Sequence, residues 1–309
     1  MAVDASRPAI DNHVFLLGRP SISEFVRFIK TRADDWQHAD DETLALEWLQ
    51  ARDRIYELES TEGGWADNPK LIPLSADLCH VANNEIRNDA VRRALRYVPY
   101  RWSLVEIDRL VVSQKWINLR FVNDIKTALP RDLNERDLLQ LAIGNPWQRP
   151  SVHLSKPTDN TYCFSSTSSD LRLLDVAALD PAHISGHQPP GHACNALAIF
   201  VGFGVNFVNA VHVRNRLVLA NGSHRLYALR ELGITHAPCA VAQVTRDEEL
   251  ELLFPPELRQ HQDLYLRASR PPLFKDYFDD RLRKVVPTTR LNICVKVQLT
   301  FETTRIPSI

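Results

Sequence analysis

Apolar side chains recur at helical spacing between residues 21 and 62, where Phe25, Phe28 and Ile29 are followed by Leu44, Trp48, Ile55 and Leu58. The spacing predicts helices with one inward face, with Ser21 and Ser23 as caps. Gly63, Gly64, Pro69 and Pro73 break the pattern. A third helix is expected over 76–98, ahead of Pro99. From Trp102 onward the residues change to Val, Ile and Leu in short alternations, which predicts strands or a strand leading into a helix over 103–122. A short helix over 134–142 and a mixed stretch of strands and loops over 151–190 follow. The next block is tightly punctuated: a strand at 206–213, a turn at Arg214-Asn215, a strand at 216–220, the turn Asn221-Gly222, a helix at 223–232, Gly233 and a strand at 238–244. Residues 247–280 read as short helices interrupted by Pro255, Pro256, Pro271 and Pro272. The tail alternates strictly, with Leu291, Ile293, Val295, Val297, Leu299 and Phe301 on one side, so Ile293, Val295 and Val297 are expected to be buried.

These elements add up to an α+β chain. It divides into a helical N-terminal region (1–100), a mixed-sheet domain (101–246) with an insertion near 145–195, and C-terminal helices with a long strand (247–309). With 44% hydrophobic and 24% charged residues the chain has the makings of a packed fold. Its 37 basic and 38 acidic residues nearly cancel, so no global pull toward polyanions exists. Five widely spaced cysteines, an odd number without a C-x-x-C pair, point to a reducing compartment. No export signal is visible at the N-terminus, and a cytoplasmic location is expected. The one long uncharged run, 195–213, holds two glycines and three asparagines. It reads as two buried strands around a turn and not as a membrane span.

The most informative stretch is 217–233, LVLANGSHRLYALRELG, where a strand ends in Asn-Gly and a helix begins at once with Ser, His and Arg. Free backbone N–H groups at a helix start carry partial positive charge, and glycine lets a ligand approach the backbone closely. Arg225 adds a guanidinium matched to phosphate oxygens, and His224 a donor that charges near neutral pH. Leu226, Leu229 and Leu232 read as core, so Arg225 is expected to point away from them toward the strand ends. The alternative is a plain helix start, with Ser223 as its cap and His224 and Arg225 paired to carboxylates.

The hairpin, the N-G-S-H-R turn, the helix, Gly233 and the Pro238 strand, from Val205 to Val244, resemble the ParB/sulfiredoxin-like superfamily. Residues Ser103 to Gln114 are similar to the family's opening strand. The resemblance implies a nucleotide phosphate bound by Asn221, Gly222, Ser223, His224 and Arg225. A nucleoside triphosphate (ATP or CTP) with Mg²⁺ would be the cofactor, and the phosphate would be hydrolysed or transferred. Two positions depart from the pattern. Asn221 stands where many partition-type members carry an acid, and Ser223 where sulfiredoxins place their reactive cysteine, so sulfinic acid reduction is not expected. Cys239 lies beyond the helix and does not replace that cysteine.

Further candidates lie elsewhere. Glu106 and Asp108 are acid/base candidates, as is Asp170 beside Arg172. His183, His187, His192 and Cys194 fall within twelve residues and offer imidazole and thiolate ligands for zinc or iron. No P-loop, nucleophile elbow or dinucleotide fingerprint is present. Two rival readings are a partition-type DNA-binding protein and a non-catalytic scaffold with the same fold. Residues 214–309 hold 15 Lys/Arg against 11 Asp/Glu, a bias too mild to carry strong phosphate-backbone binding by itself. Expected partners are therefore a nucleotide, with nucleic acid as the rival and a homodimer as a further form; no membrane partner is expected.

Overall fold

The computed structural model describes residues 8–19, 21–85, 88–144, 151–168, 170–180, 191, 194–204 and 206–305. In chain order these form β1 (Ile10–Leu16), α1 (Ile22–Arg32), α2 (Asp41–Glu62), β2 (Ile72–Pro73), α3 (Ala76–Glu85), α4 (Asn88–Ala94), β3 (Tyr100–Glu106), β4 (Val111–Val112), β5 (Trp116–Asn118), α5 (Leu119–Ala128) and α6 (Glu135–Ile143). Then come β6 (His153–Thr158), β7 (Thr161–Ser166), β8 (Leu171–Leu179), β9 (Ala196–Phe203), β10 (Asn209–Val213), β11 (Arg216–Asn221), α7 (Ser223–Glu231), β12 (His236–Gln243), α8 (Asp247–Leu253), α9 (Pro256–Gln260), β13 (Arg283–Thr289) and β14 (Ile293–Gln298). With 38% helix and 31% strand the fold is α+β.

The helix starts follow from local chemistry. Asp40 accepts hydrogen bonds from the amides of Glu42 and Thr43 and opens α2. Asn134 and Asp137 form a reciprocal capping box on α6. Asn118 accepts from the amides of Arg120 and Phe121 at the start of α5. Along α2 the buried residues are Leu44, Ala51, Ile55 and Leu58, one stripe of the helix.

The described residues fall into two compact units. The larger takes in 1–148 and 205–290, and the smaller 149–204 and 291–309. In the larger unit a six-stranded mixed sheet runs β2-β3-β12-β10-β11-β4. Here β10 is parallel to β12 and β11 is parallel to β4, while the other pairs are antiparallel. Its centre is β12, where Ala237, Cys239, Ala240, Val241 and Ala242 are wholly buried on both faces. Burial pushes the Cys239 thiol well above its ordinary range, as befits a core residue with no reactive role. A second sheet, β13-β1-β5, brings the N-terminal strand against residues 283–289. Residue 100 thus lies inside the larger unit, at the start of β3, and the expected boundary there does not separate two bodies.

The smaller unit contains the sheet β14-β7-β6 and the two-stranded ribbon β8-β9. Two expectations are corrected here. Residues 195–213 do form two strands, but β9 and β10 belong to different units, and β9 leaves Leu197 and Phe200 exposed. The tail strand pairs with β7 as alternation requires, yet Ile293 is exposed and Val295 and Val297 are only half-buried. A small three-stranded sheet supplies too little opposing surface to cover them. Among the described residues no helix is long and apolar enough to cross a membrane.

Candidate functional site

The strand–turn–helix of β11 and α7 forms as its sequence predicts. Gly222 adopts a left-handed conformation, with φ 106° and ψ 10°, and stands at the N-cap of α7 without a side-chain cap. A Cβ at this position would lie 2.7 Å from Val208 Cγ2, so the close approach of residue 208 also requires glycine. The first helical bond runs from Leu226 N to Gly222 O. The amides of Ser223 and His224 therefore have no carbonyl within the helix and face its positive end. The helix is enclosed nearly all round, with Ser223, Arg225, Leu226, Tyr227, Ala228 and Leu229 buried. Leu232, expected in the core, is 47% exposed because the helix ends at Glu231.

Arg225 does not point where the sequence suggested. Its guanidinium turns inward and is almost fully buried. Nη1 donates to the carbonyls of Leu141 (3.1 Å), Ala142 (3.2 Å) and Asn206 (3.3 Å), and Nη2 donates to Asn206 Oδ1 at 2.6 Å. Two of these carbonyls belong to the last turn of α6, where a helix leaves its acceptors unpaired and favours a cation. Asn221 joins the same knot, with Nδ2 donating to Asn206 Oδ1 at 3.1 Å. Residues 141–142, 206 and 221–225 are thereby tied into one turn-supporting network.

His224 leaves the turn in another direction. Its Nε2 accepts the Asn118 amide at 3.0 Å, which makes the ring a neutral imidazole carrying its proton on Nδ1. Phe121 and Trp116 meet it edge-on. Burial lowers its pKa to about 4, and the nearby His13 and Arg225 charges push in the same direction. Asn118 links His224 to a polar cluster that sequence reasoning missed. Its Nδ2 donates to Asp11 Oδ2 at 3.3 Å, and Asp11 also takes Arg120 Nε at 3.1 Å and Arg290 Nη2 at 2.7 Å. Burial works against the Asp11 carboxylate, but the Arg290 and Arg120 hydrogen bonds hold its pKa below the usual range. Next to it, Thr288 Oγ1 lies 2.6 Å from His13 Nδ1. The available signal was the polar trio Asp11, Asn12 and His13 ahead of an apolar run; nothing local marks it as buried.

The expected acids stand elsewhere. Asp108 Oδ1 accepts Arg230 Nε at 2.7 Å, and Glu106 is paired in register with His236. Asp108 is thus tied to the last turn of α7 and Glu106 lies beside the strand residue His236, beyond the end of that helix; the hydrogen bond and the strand pairing that hold them are not with Asn221–Arg225. Asp170 pairs with Arg172 at 2.6 Å within the smaller unit. Cys194 is exposed, while His183, His187 and His192 lie outside the described residues. Among the described residues no cluster of three His, Cys, Asp or Glu side chains is placed to hold a metal.

His224 gives the fold a pH dependence with a defined sign. The unfolded imidazole takes up a proton near pH 6.5, the folded one only near pH 4. Between these values the unfolded chain binds more protons, so stability falls as pH drops and the loss is complete below the folded value. Because His224 as a residue is only partly buried, screening reduces the loss to on the order of 2 kcal/mol. His13, also lowered by burial, adds to it in the same direction. Urea unfolding at pH 7, 6, 5 and 4.5 should give a shallower slope for His224→Gln, whose amide oxygen accepts the Asn118 N–H without titrating. An unchanged slope would show that His224 is solvated.

Compared with protein-family models, curated proteins and solved structures, the chain matches none of them.

Proposed function

We propose that the chain is a ParB/sulfiredoxin-like nucleotide-binding protein. In this reading it holds a nucleoside triphosphate, ATP or CTP, with Mg²⁺ at the turn Asn221–Arg225 and hydrolyses it or transfers its phosphate. The observation that carries this reading is the opening of α7. A left-handed Gly222 with no side-chain cap leaves the Ser223 and His224 amides at the positive end of the helix, as an incoming phosphate requires. Anion binding here is a task for backbone donors. Arg225 and His224 act as positioning groups: the guanidinium fixes the turn against Asn206 and α6, and the imidazole fixes it against α5. Mg²⁺ would neutralise the phosphate charge that these committed side chains do not meet.

A second reading is a non-catalytic relative that keeps the fold as a scaffold. It is favoured by Asn221, which stands where an acid is expected, and by the pairing of Asp108 with Arg230 at the far end of α7 and of Glu106 with His236 on β12. Thermal unfolding with ATP, CTP and GTP, each with and without Mg²⁺, separates the outcomes. A nucleotide at a hundred times its dissociation constant should stabilise by about 2.7 kcal/mol, and released phosphate should then be measurable by a colorimetric assay. Stabilisation without release favours the scaffold reading. No stabilisation by any nucleotide overturns nucleotide binding.

A further inference from the structure

The strands at the margins of the smaller unit differ in how their open edges are protected. The sheet β14-β7-β6 ends on β6, which carries Lys156 and Pro157, and on β14, which carries Lys296. In the ribbon, β8 carries Arg172 and Asp175. Charges and prolines of this kind are what keep open edges from pairing with other chains. β9 has neither: its eight residues, ALAIFVGF, contain no charge and no proline. One edge of β9 pairs with β8 from Ala196 to Phe203, and among the described residues nothing pairs with the other. Apolar side chains stay in solvent along the ribbon, with Leu197 64% and Phe200 46% exposed on β9 and Leu173, Leu174 and Val176 about half exposed on β8. A two-stranded ribbon with exposed apolar side chains is marginal by itself and gains stability from a third strand.

We propose that the open edge of β9 pairs antiparallel with β9 of a second copy of this chain, making a four-stranded β8-β9-β9-β8 sheet about a twofold axis. Three features favour a second copy over another partner. Two identical strands related by a twofold axis satisfy both open edges at once and close the interface. An uncharged strand meets no like charge when it faces itself, at any register. Finally, the new outer edges would be the two β8 strands, where Arg172 and Asp175 discourage further addition, so assembly stops at two copies. This inference is independent of the nucleotide reading.

Sedimentation velocity of the full chain across 0.1–100 µM, a concentration range on the order of that spanned by typical interfaces, should show a concentration-dependent dimer. Phe200→Lys places two cations at or beside the axis on a residue already half exposed, and should weaken association at least about a hundredfold, the scale of a hot-spot loss near 2.7 kcal/mol. Leu173→Lys makes the same change on β8, away from the edge, and should leave the dimer intact. Amide exchange along β9 should slow as the parent protein is concentrated, and should not slow in Phe200→Lys. A parent that stays monomeric overturns the proposal. So does a Phe200→Lys variant that dimerises as the parent does, or equal weakening by Leu173→Lys. Circular dichroism matching the parent's shows that each variant is folded.

Discussion

Replacing Arg270 with alanine should cost the fold about 3–5 kcal/mol, the range for stranding one member of a buried ion pair. Arg270 is the largest of the fully buried side chains, at 1% exposure. Its guanidinium meets the Asp276 carboxylate with two parallel bonds, Nη2 to Oδ1 at 2.6 Å and Nη1 to Oδ2 at 3.1 Å. Its Nε donates to Glu62 Oε2 at 2.9 Å, at the last residue of α2. Glu62 in turn takes Lys275 at 2.6 Å, and Asp276 accepts the Leu273 amide at 2.9 Å. The pair thus fastens α2 to the loop that leads into the 274–278 turn. Without the guanidinium, Asp276 becomes a buried carboxylate with one backbone donor left. It must then ionise in an apolar site or take up a proton, and either outcome lowers stability. Urea unfolding at neutral pH measures the loss. The double replacement Arg270→Met with Asp276→Leu leaves no stranded charge and should recover much of it. A loss below about 1 kcal/mol for Arg270→Ala would mean that water reaches the site, as at surface pairs.

The same contrast between local and distant partners explains what could be read from sequence. α2 and α6 were legible because their caps and apolar stripes lie within a few residues of each other, as with Asn134 and Asp137. The β11–α7–β12 segment was legible because Asn221-Gly222 and Gly233 punctuate it; both glycines take positive φ. β1 and β13 were not legible. Their inward positions include Asp11, His13 and Thr288, and polar residues become core only when partners satisfy them. Those partners, Arg120 and Arg290, stand more than a hundred residues from Asp11. The uncharged run 195–213 concealed a different fact. A chain can leave one unit and enter another inside a single apolar stretch, because hydropathy reports burial or pairing and not which body supplies it.

Arg225 is the position where this distinction bears on function, and Arg225→Ala is expected to lower stability by about 3–5 kcal/mol. The sequence places a guanidinium in the first turn of α7, a location compatible with a ligand or with a structural partner. The structure gives it Leu141, Ala142 and Asn206 as acceptors, residues 84, 83 and 19 positions away. Alanine would remove donors from buried carbonyls at the end of α6 and from Asn206. Hydrogen bonds to a charged group contribute about 1.5–3 kcal/mol, and each buried polar group left unpaired costs about 1–3 kcal/mol. Ala142 keeps its bond from the Val208 amide at 2.7 Å, so the cost should fall below the full sum of the lost contacts. Arg225→Lys should recover only part of the loss, because one ammonium does not span the carbonyls bonded by Nη1 and the Asn206 oxygen bonded by Nη2. Chemical unfolding followed by tryptophan fluorescence checks both variants. If Arg225→Ala is as stable as the parent, the guanidinium does not hold the turn in place and the structural role given to it is wrong. If it is destabilised as expected, and nucleotide still binds to the folded fraction, the phosphate is held by the Ser223 and His224 amides and Arg225 acts on it only by holding the turn in place.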